Sequence, residues 1–187
     1  MASRVPVQRE EVIAMSAEVS TPEPGSWFQK LRSRRPHQVI RCARGEYLRR
    51  WFLVPQNRFV NVYLHKFVGS DDPTALHNHP WRFLSLVLSG AYVEVTEHGT
   101  QRRSPFSVAY RPAHHRHRIQ LIRDQDGERP CLSVVITGAH QQGWGFFCPR
   151  PDGRWRFIPW GDFTAGGCGD NATASDHRSD AVRRRSS

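Results

Sequence analysis

From about residue 45 to residue 163 the chain is a succession of short apolar or alternating segments parted by turn residues, and no 3.6-residue period persists anywhere in it. Strands are predicted at 47–54, 58–67, 81–88, 91–96, 107–110, 116–121, 131–137, 143–148 and 154–157. The separators carry turn chemistry: Pro55-Gln56-Asn57, Ser89-Gly90, His98-Gly99, Asp126-Gly127 and Asp152-Gly153. Strands this short, at this spacing, close only as a sandwich or barrel. The prediction is an all-β chain folded as a small antiparallel β-barrel, whose interior is lined by alternate residues of each strand.

The ends differ in composition. Residues 1–25 are rich in Ser, Glu, Pro and Val and read as a flexible arm, with a short helix expected near 10–17. Trp27, Phe28 and Leu31 are expected to dock the next segment on the barrel, so the folded unit runs over 26–163. Residues 164–187 hold Gly, Asp, Ala, Ser and Arg with Val182 as the sole large apolar residue, and are expected to be disordered.

The chain has 187 residues, with Lys+Arg 27 against Asp+Glu 17. The excess is net +4, +5 and +1 over residues 1–44, 45–163 and 164–187, so it is spread and not set as a stripe. A phosphate-tracking surface needs clustered charge with interleaved aromatics, and nucleic acid is therefore not expected as a partner. No stretch approaches the roughly 20 apolar residues of a membrane span, and no apolar leader follows Met1. A cytoplasmic location with reduced thiols is the expectation. Cys42, Cys131, Cys148 and Cys168 form no C-x-x-C pair, and Cys131 reads as a small core residue.

Among ten histidines, three are placed for chemistry. His77 and His79 stand two apart in Leu76-His77-Asn78-His79-Pro80-Trp81, which puts both imidazoles on one face of an extended chain. His117 opens a later strand. If that strand pairs beside the first, three neutral nitrogens share one divalent ion and leave coordination positions open. His115 has the parity of His117 and is a candidate additional ligand. On the strand before, Tyr63 and His65 alternate with Val62 and Leu64 and are candidate acid–base groups. Arg111, at the rim before Pro112, is a candidate clamp for a substrate carboxylate. Trp81 and Phe83 share the ligands' parity and are expected to line the pocket.

These residues resemble the two motifs of the cupin superfamily, over about residues 45–163. In the first motif Gly69, His77, His79 and Gly90 take their places, although seven residues part Gly69 from His77 and Phe83 occupies the position of the usual Glu. In the second, Pro112 and His117 match, whereas Phe106, His114 and Leu121 stand where Gly, Gly and Asn are usual. The resemblance implies a double-stranded β-helix jelly roll around one metal ion. Loss of the Glu leaves a three-His site of higher positive charge, suited to anionic substrates. It is similar in this to the thiol dioxygenases, although Phe83 also displaces the cysteine those enzymes carry there. The resemblance implies a non-haem Fe(II) oxygenase on a small polar or anionic molecule, with Zn, Mn or Ni as other metals. The alternatives are a redox-neutral Zn or Mn isomerase or lyase, and a non-catalytic ligand-binding or sensor module. A homodimer paired through an outer sheet is a further expectation.

Overall fold

The computed structural model describes residues 26–42, 45–163 and 167–169. A helix α1 (Ser26–Arg32) leads into β1 (Gln38–Cys42), β2 (Gly45–Phe52), β3 (Asn61–Phe67) and the short β4 (Leu76–His77). Then come β5 (Phe83–Ser89), β6 (Tyr92–Thr96), β7 (Gly99–Arg103), β8 (Val108–Arg111) and β9 (His117–Leu121). A small hairpin, β10 (Arg123–Asp124) and β11 (Gly127–Glu128), precedes β12 (Cys131–Thr137), β13 (Gly145–Pro149) and β14 (Trp155–Pro159).

Two six-stranded sheets result, ordered β1-β2-β3-β12-β5-β8 and β14-β13-β4-β9-β6-β7, with antiparallel pairing throughout. From β3 to β6, from β7 to β9 and from β9 to β13 the chain crosses back and forth between the sheets, so each sheet interleaves distant parts of the chain. This is the jelly-roll arrangement, and the predicted all-β barrel is the observed one. Alternation builds its interior. On β5, Phe83, Ser85 and Val87 are buried, whereas Leu84 and Leu88 on the outer face stay 39% and 38% exposed. The β5–β6 turn requires glycine. Gly90 has φ +73°, and a Cβ there would stand 2.4 Å from the Pro130 carbonyl oxygen.

Leu48, Phe67, Val87, Tyr92, Ile119, Leu121 and Cys131 fill one region of the barrel. Each side chain so buried contributes about 1.5–3 kcal/mol. Cys131 is fully buried, and burial pushes its thiol up to about 11, as befits a core residue. Phe52, Tyr63, Phe83 and Val135 form a second group, against which Trp27 and Trp81 pack. Of the three expected docking residues, Trp27 fastens the entry: its Nε1–H donates to the Phe52 carbonyl at 2.8 Å. Phe28 remains 60% exposed and does not dock.

Ala75, Phe146, Cys148, Ile158 and Phe163 make a third group, with Trp144, Trp160 and Cys168 against it. Two expectations are corrected here. Cys148 and Cys168 form a disulfide, in place of reduced thiols, and closing a loop of this length contributes on the order of 3 kcal/mol. Residues 167–169 also depart from the predicted disordered tail, since the Cys168 N–H donates to Thr74 Oγ1 at 3.1 Å. The arm at 1–25, its helix at 10–17 and the remainder of the tail lie outside the described residues. No described helix is long and apolar enough to cross a membrane.

Candidate metal centre

His77 and His117 face each other directly, as the paired residues of β4 and β9. His79 follows just beyond β4, in a loop that is firmly held. The Gly145 N–H donates to Asn78 Oδ1 at 2.9 Å, the His79 N–H donates to the Ala113 carbonyl at 3.3 Å, and Gln142 Nε2 donates to the carbonyls of His79 and Ala113. The three ring centroids are 5.0, 5.0 and 5.1 Å apart. His79 Nε2 and His117 Nε2 approach to 2.9 Å, and one nitrogen from each of the three rings lies within 4.8 Å of the other two.

The outer nitrogens explain the orientation. His117 Nδ1–H donates to Glu94 Oε1 at 2.8 Å, so its Nε2 lone pair points inward. His77 Nδ1 faces Asp71 Oδ2 at 3.8 Å, and its Nε2 has no hydrogen-bond partner among the described residues. Asp71 is itself fixed by the Ile119 N–H at 2.5 Å. Three convergent imidazoles, two of them backed by carboxylates, are the donor set of a divalent metal, so the residues fit one. Phe83, at the usual Glu position, turns its ring to His79 at 4.7 Å.

Glu94 is the residue that the sequence reading missed. It lies on β6 diagonally opposite His117, because Thr96 pairs with His117 and Glu94 with Ile119. It is 1% exposed. Arg111 grips it through Nε and Nη2 at 2.5 and 2.6 Å, and Arg103 Nε adds a bond at 2.9 Å. Burial alone would push the Glu94 carboxyl up. Hydrogen bonds from His115, His117 and Arg111 outweigh it and hold the group well below the usual carboxylate range.

Two assignments change accordingly. Arg111 is not at the rim: it is 1% exposed, inside the barrel. Its Nη1 also donates to Ser85 Oγ and the Ala109 carbonyl, and its Nη2 to Tyr92 Oη. A guanidinium has five N–H donors, and these contacts occupy it, so it is not available as the carboxylate clamp. His115 turns its Nε2 to Glu94 Oε1 at 3.3 Å. It groups with Glu94 and His117 and not with His77 and His79.

Tyr63, His65, Trp81 and Phe83 all line one cavity of about 520 Å³, together with the three histidines. Tyr63 and His65 are buried and stacked, with centroids 5.7 Å apart. His65 Nε2 accepts from Arg50 Nε–H at 2.8 Å, so the ring is neutral with its proton on Nδ1. His37 serves the fold: its Nδ1 accepts from the Phe52 N–H and its Nε2–H donates to the Trp27 carbonyl.

Burial lowers the pKa of His117 to about 3 and, helped by the neighbouring charges, takes His65 and His79 well below the ordinary value. Unfolded histidines titrate near 6.5. The unfolded state therefore binds more protons below that pH, and the metal-free protein is expected to lose stability as pH falls from about 6.5. Each of the three groups adds up to about 1.4 kcal/mol per pH unit. Urea unfolding at pH 7 and pH 5 measures this, and equal stabilities would contradict the burial of neutral rings.

No family model matches the sequence, and no curated protein sequence matches it. Among solved structures the chain is similar to the DMSP lyase DddQ from Ruegeria pomeroyi DSS-3, at 16% identity and a TM-score of 0.43 over 53% of this chain and 51% of the lyase. The chain thus spans about half the length of that protein. It is also similar to a cupin superfamily protein from Desulfitobacterium hafniense DCB-2, at 22% identity and a TM-score of 0.40 over 49% of this chain and 77% of the other. A double-stranded β-helix protein from Klebsiella pneumoniae gives 14% identity and a TM-score of 0.42 over 56% and 86%. The strand order and the histidine geometry carry the assignment. On that ground the chain has a two-sheet antiparallel jelly-roll fold of the double-stranded β-helix kind, with a three-histidine group in its interior that could hold a metal ion.

Proposed function

We propose that the protein is a metal-dependent cupin enzyme, an Fe(II) oxygenase acting on a small anionic molecule. The observation that carries this reading is the all-imidazole cluster of His77, His79 and His117, with no carboxylate among the three, on the wall of the 520 Å³ cavity. A ferrous ion bound there supplies a redox-active Lewis acid with open positions and an undiminished positive charge. Glu94 holds the His117 ring turned inward, and Asp71 stands behind the His77 ring. Trp81 and Phe83 exclude water from the ligand face, while Tyr63 and His65 are the polar groups that orient a substrate or move its proton. The disulfide favours an oxidising compartment over the cytoplasm.

The test is metal analysis of anaerobically purified protein, followed by oxygen-electrode assays with a panel of small carboxylates. About one iron per chain and carboxylate-dependent oxygen uptake are expected. Turnover by a zinc or manganese form without oxygen would replace this reading with a redox-neutral isomerase or lyase. Full carboxylate binding with no metal and no turnover would make the protein a binding module.

A further inference from the structure

The outer face of the first sheet is apolar. Antiparallel register puts Val62, Ile136, Leu84 and Tyr110 in one row across β3, β12, β5 and β8. Leu64, Val134, Leu86 and Val108 form the row beside it. Directly paired residues share a face, and none of these side chains lines the cavity. Tyr110 is 61% and Val108 59% exposed. Single exposed apolar residues need no explanation, whereas a contiguous apolar face marks a contact surface. Two turns extend it. Before β3, Phe59 and Val60 are exposed, with Arg58 Cζ 4.8 Å from the Phe59 ring centroid. Before β8, Phe106 is 81% exposed and has φ +67°, a left-handed conformation that an aromatic residue adopts only at a cost. Its N–H donates to the Val87 carbonyl at 2.8 Å, and the Ser107 N–H donates to the Ser104 carbonyl at 2.9 Å, which fixes the turn. The backbone there disfavours the residue, and the fold does not bury its ring.

The charges around this face are of one sign. β3, β5, β8 and β12 contain no Asp or Glu. Lys66 follows the rows on β3, and Arg58 and Arg82 stand at their other end. None of the three forms an ion pair among the described residues. The strands β3, β12 and β5 are each paired on both sides, so the face presents side chains only and asks few hydrogen bonds of what covers it, as a hydrocarbon boundary requires. A second copy of this chain would bring the same cations and no acid to meet them. We propose that this face docks the protein onto an anionic lipid bilayer. The apolar rows, Phe59 and Phe106 lie at the acyl boundary, and Lys66, Arg58 and Arg82 lie among the headgroup phosphates. The surface is on the far side of the sheet from the cavity, so the proposal goes beyond the metal-dependent reading and does not rest on it.

The experiment is co-sedimentation of the full-length protein, as purified, with phosphatidylcholine vesicles and with vesicles in which about a third of the lipid is phosphatidylglycerol. Binding to the anionic vesicles is expected to be about ten-fold tighter or more, and to weaken as salt is added. Phe106→Gly relieves the positive φ, so its thermal stability is expected to equal or exceed that of the wild type, while its affinity for the anionic vesicles falls about ten-fold. A merely structural role for Phe106 would not separate the two readouts in this way. Tyr110→Thr keeps a strand-forming residue and is expected to weaken binding in the same direction. Lys66→Gln with Arg82→Gln is expected to reduce the preference for the anionic vesicles and to leave the fold intact. Absence of vesicle binding, equal binding to the two vesicle types, or unchanged affinity in folded Phe106→Gly and Tyr110→Thr each overturns the proposal. A dimer in sedimentation equilibrium that Tyr110→Thr dissociates overturns it as well, since a second copy would then cover the face. If a variant does not fold, the wild-type vesicle preference and its salt dependence decide.

Discussion

His79→Ala is expected to leave the protein folded and to lower its metal content more than ten-fold. His79 and His117 bring their Nε2 atoms to 2.9 Å, and a two-imidazole remnant lacks the third of the three protein ligands that such a site uses. His117→Ala is expected to do the same. His115→Ala is the control: its ring is committed to Glu94, so stoichiometry should stay within two-fold of wild type. Elemental analysis after anaerobic purification, with calorimetric titration of Fe(II) and Zn(II), provides the measurement. Undiminished metal in His79→Ala would remove the site from this part of the barrel.

The second large effect belongs to Glu94. Glu94→Gln leaves the Arg111 guanidinium 1% exposed and without its counter-charge. Breaking a buried pair from one side costs about 3–5 kcal/mol, which for a domain of this size lowers Tm by roughly 10 °C. Metal affinity is expected to fall a further 10–100-fold, because His117 loses the acceptor that fixes its tautomer. The double variant Glu94→Gln/Arg111→Gln removes both charges and is expected to recover part of the stability without recovering the affinity. Thermal and urea unfolding, with metal titration alongside, separate the two effects. A loss below about 1 kcal/mol in the single variant would show that the network is not a unit.

The histidines were legible in the sequence because strand parity is a local property: two residues of spacing are enough to put His77 and His79 together. Glu94 was not legible, because its partners come from β8 and β9, and their register across the sheets is a property of the whole fold. A lone carboxylate in Tyr92-Val93-Glu94-Val95 reads as a solvated residue until one notes that Tyr92 and Glu94 share the buried face.

Strand boundaries failed for nameable reasons. The predicted strand at 58–67 starts at Asn61, because Asn57 Oδ1 accepts from the N–H groups of Phe59 and Val60 and folds those residues into a turn. The all-polar β7 gave no alternation to read, as befits an edge strand that shows its side chains to water. The two residues of β4 are too few for any pattern, although they carry His77.

One wall of the chamber is fastened differently from the rest. Phe146 and Phe163 stack at 3.8 Å between centroids beside His77, and the chain that leaves Phe163 returns to that wall through the Cys148–Cys168 bond. Elsewhere the enclosure is held by hydrogen-bonded ladders that no reductant touches. Reducing that bond would therefore slacken a single panel, the one nearest His77, and the three-histidine group would sense the change as altered room and not as altered charge.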